Sequence, residues 1–330
     1  MPWRVPPHAH ARGKRAAPYH VWLSEVMLQQ TQVATVRDYY LKFIRKWPSI
    51  EDLAKSDEDD VLKAWAGLGY YSRARNLKKC ANVVTAEHNG EFPRTADSLK
   101  KLPGIGDYTA ASIAAIAFDQ PVAVIDGNVE RVMARHERID ELFPAAKSIV
   151  RGLLATLLDP EKPGEFAQAM MDLGATICTP KRPACGICPL NAECKSAFQV
   201  DVETFPRKKP KTEKPERKGA AYVIENQAGE IFLCKRGSTG LLAGMTQVPT
   251  TNWNSRSDGK TDSLAAPVSA KWRRMPDIRH TFTHFHLDLV VWHARSEQAP
   301  AMDGWWCPID RLSDEALPTV MRKVLASALA

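Results

Sequence analysis

Four of the seven cysteines, Cys178, Cys185, Cys188 and Cys194, fall within 17 residues in a C-x6-C-x2-C-x5-C spacing. In a chain with no secretion signal, so tight a cluster of thiols points to a metal site rather than to a disulfide framework. Pro180, Pro183 and Pro189 punctuate the segment and suit a compact knob wrapped round an ion or cluster. Four thiolates serve either Zn or a 4Fe-4S cluster, and the spacing lacks the paired C-x2-C of the usual zinc fingers. Cys80, Cys234 and Cys307 are scattered. The start MPWRVPPHAHARGKRAAPYH has no continuous apolar region. The longest apolar stretch, Thr109 to Phe118, is far short of the roughly 18 residues a membrane span needs. The chain therefore reads as cytoplasmic with no membrane partner.

A length of 330 residues suggests two domains, and the texture changes where two domains would meet. From Tyr19 to about Arg138 apolar residues recur at three- and four-residue spacings, which predicts successive helices parted by short Gly and Pro loops. The stretch 205–218 is rich in proline and lysine with no periodicity and reads as a linker. Beyond it, AAYVIENQAGEIFLCKR alternates around the hairpin signal at Asn226 to Gly229, and FTHFHLDLVVWHA is a second strand candidate. A helix is expected near Glu315 to Leu329, so the last third is α+β. The formal charge of +7 invites a nucleic-acid reading, but residues 207–218 alone carry +5, and such a run also suits a solvated linker. Charge permits DNA binding without showing it.

Three short segments carry chemistry. In LPGIG, Gly104 and Gly106 stand between two helical stretches, where backbone N–H groups at a helix start can meet a phosphate. In VAVIDGN, Asp126 opens the helix NVERVMARH; it is a natural N-cap, and hydrogen bonds from that helix should hold its pKa low and keep it ionised. Glu25 lies in the helix Val21 to Gln30 with mostly apolar neighbours at three and four residues, so burial should raise its pKa into the range of a general acid. One carboxylate raised and one lowered is how acid and ion-stabiliser roles separate in glycosidic bond cleavage.

SEVMLQQTQVATV, GLGYYSRARNL, LPGIGDYTA, IDGNVERV and the four-cysteine spacing, in this order, resemble the MutY-type adenine DNA glycosylases of the helix-hairpin-helix, iron-sulfur superfamily. The resemblance implies a mainly α helix-hairpin-helix glycosylase domain over 1–198, with its hairpin near 95–118 and a 4Fe-4S loop over 178–194. A basic linker over 199–218 and a smaller α+β Nudix-like domain over 219–330 follow. It implies a base-excision repair enzyme that flips adenine out of duplex DNA, where it is mispaired with 8-oxoguanine or guanine, and hydrolyses the N-glycosidic bond to leave an abasic site. The enzyme would be a monomer on DNA, nucleoid-associated in a bacterium. Glu25 would protonate adenine at N7 and help activate water, and Asp126 would stabilise the oxocarbenium-like sugar. Tyr108, Asn128 and Arg4 would support them, Gln168 would face the flipped base, and Gln29, Gln30 and Tyr70 would probe and wedge the duplex. Cys178, Cys185, Cys188 and Cys194 would hold one 4Fe-4S cluster, with Lys181 and Arg182 as phosphate contacts.

Related endonuclease III-like enzymes carry lysine where this chain has Tyr108. No lysine occurs between Lys101 and Lys147, so a monofunctional, water-using enzyme is expected. The last domain would read 8-oxoguanine through Phe282, Thr283 and His284, where the family has Phe-Ser-His. It lacks an R-E-x-x-E-E metal box, which argues against pyrophosphate hydrolysis. Met245-Thr246-Gln247 departs from a usual aromatic-containing stretch, and HAHARGKR reads as an insertion before Pro18, close after the start of the P-W-R motif. The competing readings are a glycosylase for another mismatch, such as thymine opposite guanine, and a non-catalytic DNA-binding protein; intact Glu25 and Asp126 argue against the latter.

Overall fold

The computed structural model describes residues 1–210 and 212–330. The chain forms two compact units, one of Met1–Lys55 with Lys79–Lys211, the other of Ser56–Lys78 with Thr212–Ala330. Its helices are α1 (Pro7–His10), α2 (Pro18–Leu28), α3 (Val33–Lys46), α4 (Ile50–Lys55), α5 (Glu58–Trp65), α6 (Ser72–Glu87), α7 (Ala96–Leu99), α8 (Asp107–Phe118), α9 (Gly127–His136), α10 (Lys147–Leu157), α11 (Pro163–Thr176) and α12 (Thr319–Ala328). No helix among the described residues is long and apolar enough to cross a membrane.

In the first unit, periodicity decides which helices are central. α3 buries Val36, Tyr40 and Phe43 at four- and three-residue steps and leaves its other face to solvent. α8 is apolar on nearly every side and is correspondingly buried from Thr109 to Ala115. Its alanines allow close approach: a Cβ on Gly164 of α11 would come within 2.7 Å of the Ala115 carbonyl oxygen. α9, α10 and α11 enclose a core of Val129, Met133, Phe143, Val150, Leu154, Met171 and Phe205.

The second unit is built on a sheet of β1 (Glu216–Glu225), β2 (Glu230–Lys235), β3 (Thr246–Gln247), β4 (Arg273–Thr281), β5 (His286–Arg295) and β6 (Gly304–Pro308). The order is β3-β2-β1-β5-β4, with β6 also on β2. β1 and β2 form the expected hairpin, with Gly229 at φ +75° in its turn. β1 and β5 run parallel from Glu216↔His286 to Glu225↔Arg295. α12 covers this sheet, and Val223, Leu233, Leu289, Val291, Met321 and Val324 meet beneath it.

Two features of packing cut across the sequence segments. Residues 56–78, read as part of the helical catalytic domain, pack in the second unit: Asp59 pairs with Lys235 at 2.7 Å, and Nη1 of Arg75 donates to the Ala243 carbonyl at 2.6 Å. The stretch 199–218 is also not a uniform linker. Phe205 is 1% exposed in the first unit's core, its ring flanked by the guanidinium groups of Arg207 at 4.2 Å and Arg138 at 5.2 Å, and β1 already begins at Glu216. Composition hides this, because one buried aromatic among lysines and prolines leaves no period. The Phe205→Ala substitution should therefore lower stability by about 3–4 kcal/mol, read as a shift of the denaturation midpoint; a surface linker residue would shift it negligibly.

Candidate active site and iron-sulfur loop

A cavity of about 740 Å³ in the first unit is lined by Arg4, Glu25, Gln29, Gln30, Gly104, Gly106, Tyr108, Asp126 and Asn128. Nine of the residues singled out by sequence thus share one space, although they are spread over 125 positions from Arg4 to Asn128.

Glu25 sits on α2, a helix buried along most of its length, and is 5% exposed. Tyr108, in the first turn of α8, donates its hydroxyl to Oε2 of Glu25 at 2.5 Å. Burial raises the Glu25 pKa, and the Tyr108 hydrogen bond and the charge of Arg4 oppose this only in part. Burial, with Glu25 beside it, likewise keeps the Tyr108 phenol protonated. Ser112, one turn along α8 from Tyr108, stands beside the pair; it was not foreseen, though the spacing from Tyr108 carries the signal.

Asp126 is the N-cap of α9. Its Oδ1 accepts from the backbone N–H of Asn128 at 2.9 Å and of Val129 at 2.7 Å, and its Oδ2 accepts from Nδ2 of Asn128 at 2.8 Å. Oδ1 of Asn128 in turn accepts from Arg131 Nη2 at 2.9 Å, which fixes the amide's orientation. The expectation of a lowered Asp126 pKa is not met. Burial raises it, and the hydrogen bonds from Val129 and Asn128 pull it back without overturning that. Hydrogen bonding still separates the two acids: Asp126 accepts three N–H groups in its charged form, Glu25 one hydroxyl. Hydrogen bonding thus favours the charged form more at Asp126 than at Glu25.

The hairpin completes the cavity wall. Gly104 takes φ +74°, and Gly106 caps α8 without a side-chain bond; a Cβ there would meet nothing within 4 Å. The first N–H groups of α8 therefore have no side-chain cap. Gln29 donates through Nε2 to Thr109 Oγ1 at 3.1 Å, and Gln30 adopts φ 56° at the cavity edge. Arg4 pairs with Asp172 of α11 at 2.5 Å. Asp172 was missed by sequence reading; it lies four residues beyond Gln168, on the same helix face. Gln168 itself faces an adjoining cavity that also touches Arg4 and Asp172, and its Nε2 donates to the Gly164 carbonyl at 3.0 Å. Lys147, which ends the lysine-free stretch from Lys101, lines the Glu25 cavity too.

Tyr70, grouped by sequence with Gln29 and Gln30, belongs to the second unit. It lines a separate cavity of about 630 Å³ with Phe282, Thr283 and His284, and its hydroxyl lies 3.0 Å from Thr283 Oγ1. Phe282 stacks on Phe285 with centroids 4.8 Å apart, and Nζ of Lys214 donates to the Phe282 carbonyl at 3.0 Å.

The four clustered cysteines line one small cavity with Arg135, Ile177, Pro183 and Asn191. Arg135 is 1% exposed; its Nη1 approaches Cys178 Sγ at 3.3 Å and donates to the Thr179 carbonyl at 2.7 Å. Arg131 donates to the Cys178 carbonyl at 2.8 Å. Among the described residues no group of three or more His, Cys, Asp or Glu could hold a single metal ion. Four sulfurs disposed around a shared cavity beside a cation fit an iron-sulfur cluster, whose thiolate-bound form is negatively charged. Lys181, expected to be a phosphate contact, pairs with Glu203 at 3.0 Å, and the same carboxylate accepts the Arg182 backbone N–H at 2.7 Å.

Comparison with known proteins agrees with this geometry. Residues 23–159 match the HhH-GPD superfamily of base excision DNA repair proteins, residues 178–194 the iron-sulfur binding domain of endonuclease III, and residues 220–327 the NUDIX domain. The chain is 36% identical to the adenine DNA glycosylase of Mus musculus over 98% of its own length and 74% of that protein. Against the adenine DNA glycosylase of Buchnera aphidicola subsp. Schizaphis graminum it is 32% identical, over 96% and 95% respectively. Among solved structures, a thermostable thymine-DNA glycosylase superposes with a TM-score of 0.53 at 30% identity, over 60% of this chain and 88% of that one. A non-covalent endonuclease III–DNA complex gives 0.50 at 26% identity, over 56% and 86%. With its buried acid, capped carboxylate, open hairpin and four-thiol loop, the chain belongs to the adenine DNA glycosylase family of base excision repair enzymes, which hydrolyse N-glycosyl bonds in DNA.

Proposed function

We propose that the enzyme removes adenine mispaired with 8-oxoguanine, and more slowly adenine opposite guanine, with water rather than a lysine as the group that displaces the base. The observation that carries this is the Glu25–Asp126 pair in one cavity, the first buried with its pKa raised and hydrogen-bonded by Tyr108, the second accepting three N–H groups. A flipped adenine in that cavity takes the Glu25 proton at N7, which weakens the C1′–N9 bond. Positive charge then develops on the sugar beside the Asp126 carboxylate, where a fixed anion stabilises it most. Water adds to C1′, and Glu25 recovers a proton. Arg4, held by Asp172, and Tyr108 keep Glu25 oriented. The N-terminus of α8 with Gly104 and Gly106 binds a backbone phosphate.

The cavity of Tyr70, Phe282, Thr283 and His284 supplies the reader for the opposite base. Its aromatic stack accepts a purine face, and the Thr283 and Tyr70 hydroxyls are placed to hydrogen-bond a base edge. The four cysteines hold a 4Fe-4S cluster, which supplies structural and electrostatic support to a DNA-facing loop. The enzyme acts as a monomer on duplex DNA.

Single-turnover cleavage on duplexes with adenine opposite 8-oxoguanine, adenine opposite guanine, and thymine opposite guanine tests the reading, with alkali to reveal abasic sites. Adenine loss should be fastest opposite 8-oxoguanine. Thymine release would favour the other mismatch, and tight binding without release a non-catalytic role. The Thr283→Ala substitution should reduce the preference for 8-oxoguanine over guanine about fivefold, the worth of one hydrogen bond. Adenine loss opposite guanine should change little; equal loss on both duplexes would place Thr283 outside base discrimination.

A further inference from the structure

Among the described residues, every backbone–backbone hydrogen bond of residues 1–15 stays within that segment, so side chains decide where it lies on the first unit. Trp3 packs edge-on against Tyr40 with centroids 5.3 Å apart, and Arg4 pairs with Asp172. The inserted HAHARGKR, residues 8–15, supplies the remaining anchors. After α1 the chain turns back at Gly13, φ +84°, whose N–H donates to the His10 carbonyl at 2.9 Å, and Nη1 of Arg15 returns to the same carbonyl at 3.2 Å. Nδ1 of His10 then stands 2.9 Å from Glu165 Oε1 and its Nε2 3.6 Å from Asp119 Oδ1, while Nε of Arg15 donates to Asp119 Oδ2 at 2.7 Å.

Exposed ion pairs are worth little, and an insertion that makes two of them needs no function. Their placement argues for one. The His10 side chain is only 14% exposed. Glu165 and Asp172 lie seven residues apart on one face of α11, two turns or about 10 Å along its axis, with Gln168 between them. The segment thus meets α11 at two points, through His10 and through Arg4, and a cavity of about 560 Å³ is lined by residues of both. Asp119 is the C-cap of α8. His10 therefore joins the two helices that carry the partners of Glu25 and Arg4, namely Tyr108 on α8 and Asp172 on α11. Arg4 is what this fixes: it lines the Glu25 cavity, and its charge favours the carboxylate that remains once Glu25 has given its proton away.

We propose that residues 8–15 form a latch: His10 and Arg15, closing on Glu165 and Asp119, hold Arg4 in the cavity of Glu25, which makes His10 a positioning residue for adenine release. The part played by Glu25 rests on the adenine-release reading; the closing of the latch does not. With the latch open, Arg4 keeps its pairing with Asp172 but the segment that presents it loses its second hold on α11. The Arg4 guanidinium then samples a wider range of positions beside Glu25, and fewer of them suit proton transfer. DNA binding is untouched by this, because His10 and Arg15 line neither the Glu25 cavity nor the hairpin that borders it.

Two measurements on the full chain test this. Trypsin must draw an arginine into its own pocket to cut beside it, and Arg15 is held by Asp119. Limited digestion should therefore cut after Arg15 about fivefold faster in Asp119→Asn than in the parent; Asn suits the left-handed cap at φ 51° but brings no charge. In single-turnover assays His10→Ala should slow adenine release about fivefold, a fraction of what a full ångström of misplacement costs. Affinity for a duplex with a 2′-fluoro sugar at the target adenine, which resists release, should not change. His10→Asn, whose amide nitrogen takes the place of Nδ1 toward Glu165, should restore most of the rate. In an Arg4→Ala background His10→Ala should cost nothing further, since its effect passes through Arg4. Equal losses in both backgrounds, no loss in the parent, affinity falling in step with rate, or unchanged cutting after Arg15 overturns the proposal. A parent chain that releases no adenine sinks the reading of Glu25 instead, and digestion alone then decides the latch.

Discussion

Replacing Glu25 by Gln should reduce adenine release by about 10³-fold, the upper part of what a positioned general acid contributes. Shape, size and the Tyr108 contact are retained, so the loss reports the missing proton. In the parent enzyme, burial holds the Glu25 pKa above the usual carboxylate range, and the acid form is the one that protonates adenine. The rate constant for base release should therefore fall as pH rises through that raised value, whereas the residual rate of the variant should not follow this limb. Stability gives an independent readout. A carboxyl whose pKa is raised by folding stabilises most below its unfolded value, near 4.3, and that contribution is lost as pH rises through the folded one. The variant carries no such proton. Its melting temperature should equal or exceed the parent's at neutral and alkaline pH, and the gap should close in acid. An unchanged release rate, or a variant that melts lower at every pH, would remove Glu25 from the acid role.

The second large effect is expected at Asp126. Asp126→Asn should slow release by about 10²- to 10³-fold, the cost of losing a group aimed at developing charge. Asn is as good a helix N-cap as Asp, so the backbone N–H groups of Asn128 and Val129 keep an acceptor and α9 keeps its start. Melting temperature should move by only a few degrees, about 1 kcal/mol or less, while single-turnover release collapses. Loss of fold in proportion to loss of rate would instead make Asp126 a cap alone.

Much of this site was legible because its members sit in local patterns. Gly104 and Gly106 flank a helix start, Asp126 precedes one, and the four cysteines lie within one loop; chain-local rules reach all of these. The amphipathic α3 announces itself by period, and so does the hairpin of β1 and β2. Interactions between distant segments were not legible. Asp172 meets Arg4 across 168 positions, and Arg135 reaches the cysteine loop across 43. Lys147 enters the cavity because α10 folds back along α9, which no spacing rule foretells. The Asp126 pKa was misjudged for a related reason: the hydrogen bonds of a cap are local and readable, but its burial is set by the packing of α8 and α11 around it. Likewise β1 pairs parallel with β5, some seventy residues away, and the alternation that revealed both strands says nothing of direction.

Gly174 of α11 has no room for a side chain, because a Cβ there would lie 2.6 Å from the Cβ of Asn128. Its neighbour is the residue whose amide steadies Asp126. Such a glycine makes a position with no chemistry of its own as intolerant as one that has it. Even an alanine at 174 must push α9 away from α11, and the first thing displaced is the Asn128–Asp126 contact. Genetic loss of this enzyme's function need not fall on its acids or its thiols: the gap between two helices is itself a heritable part of the active site.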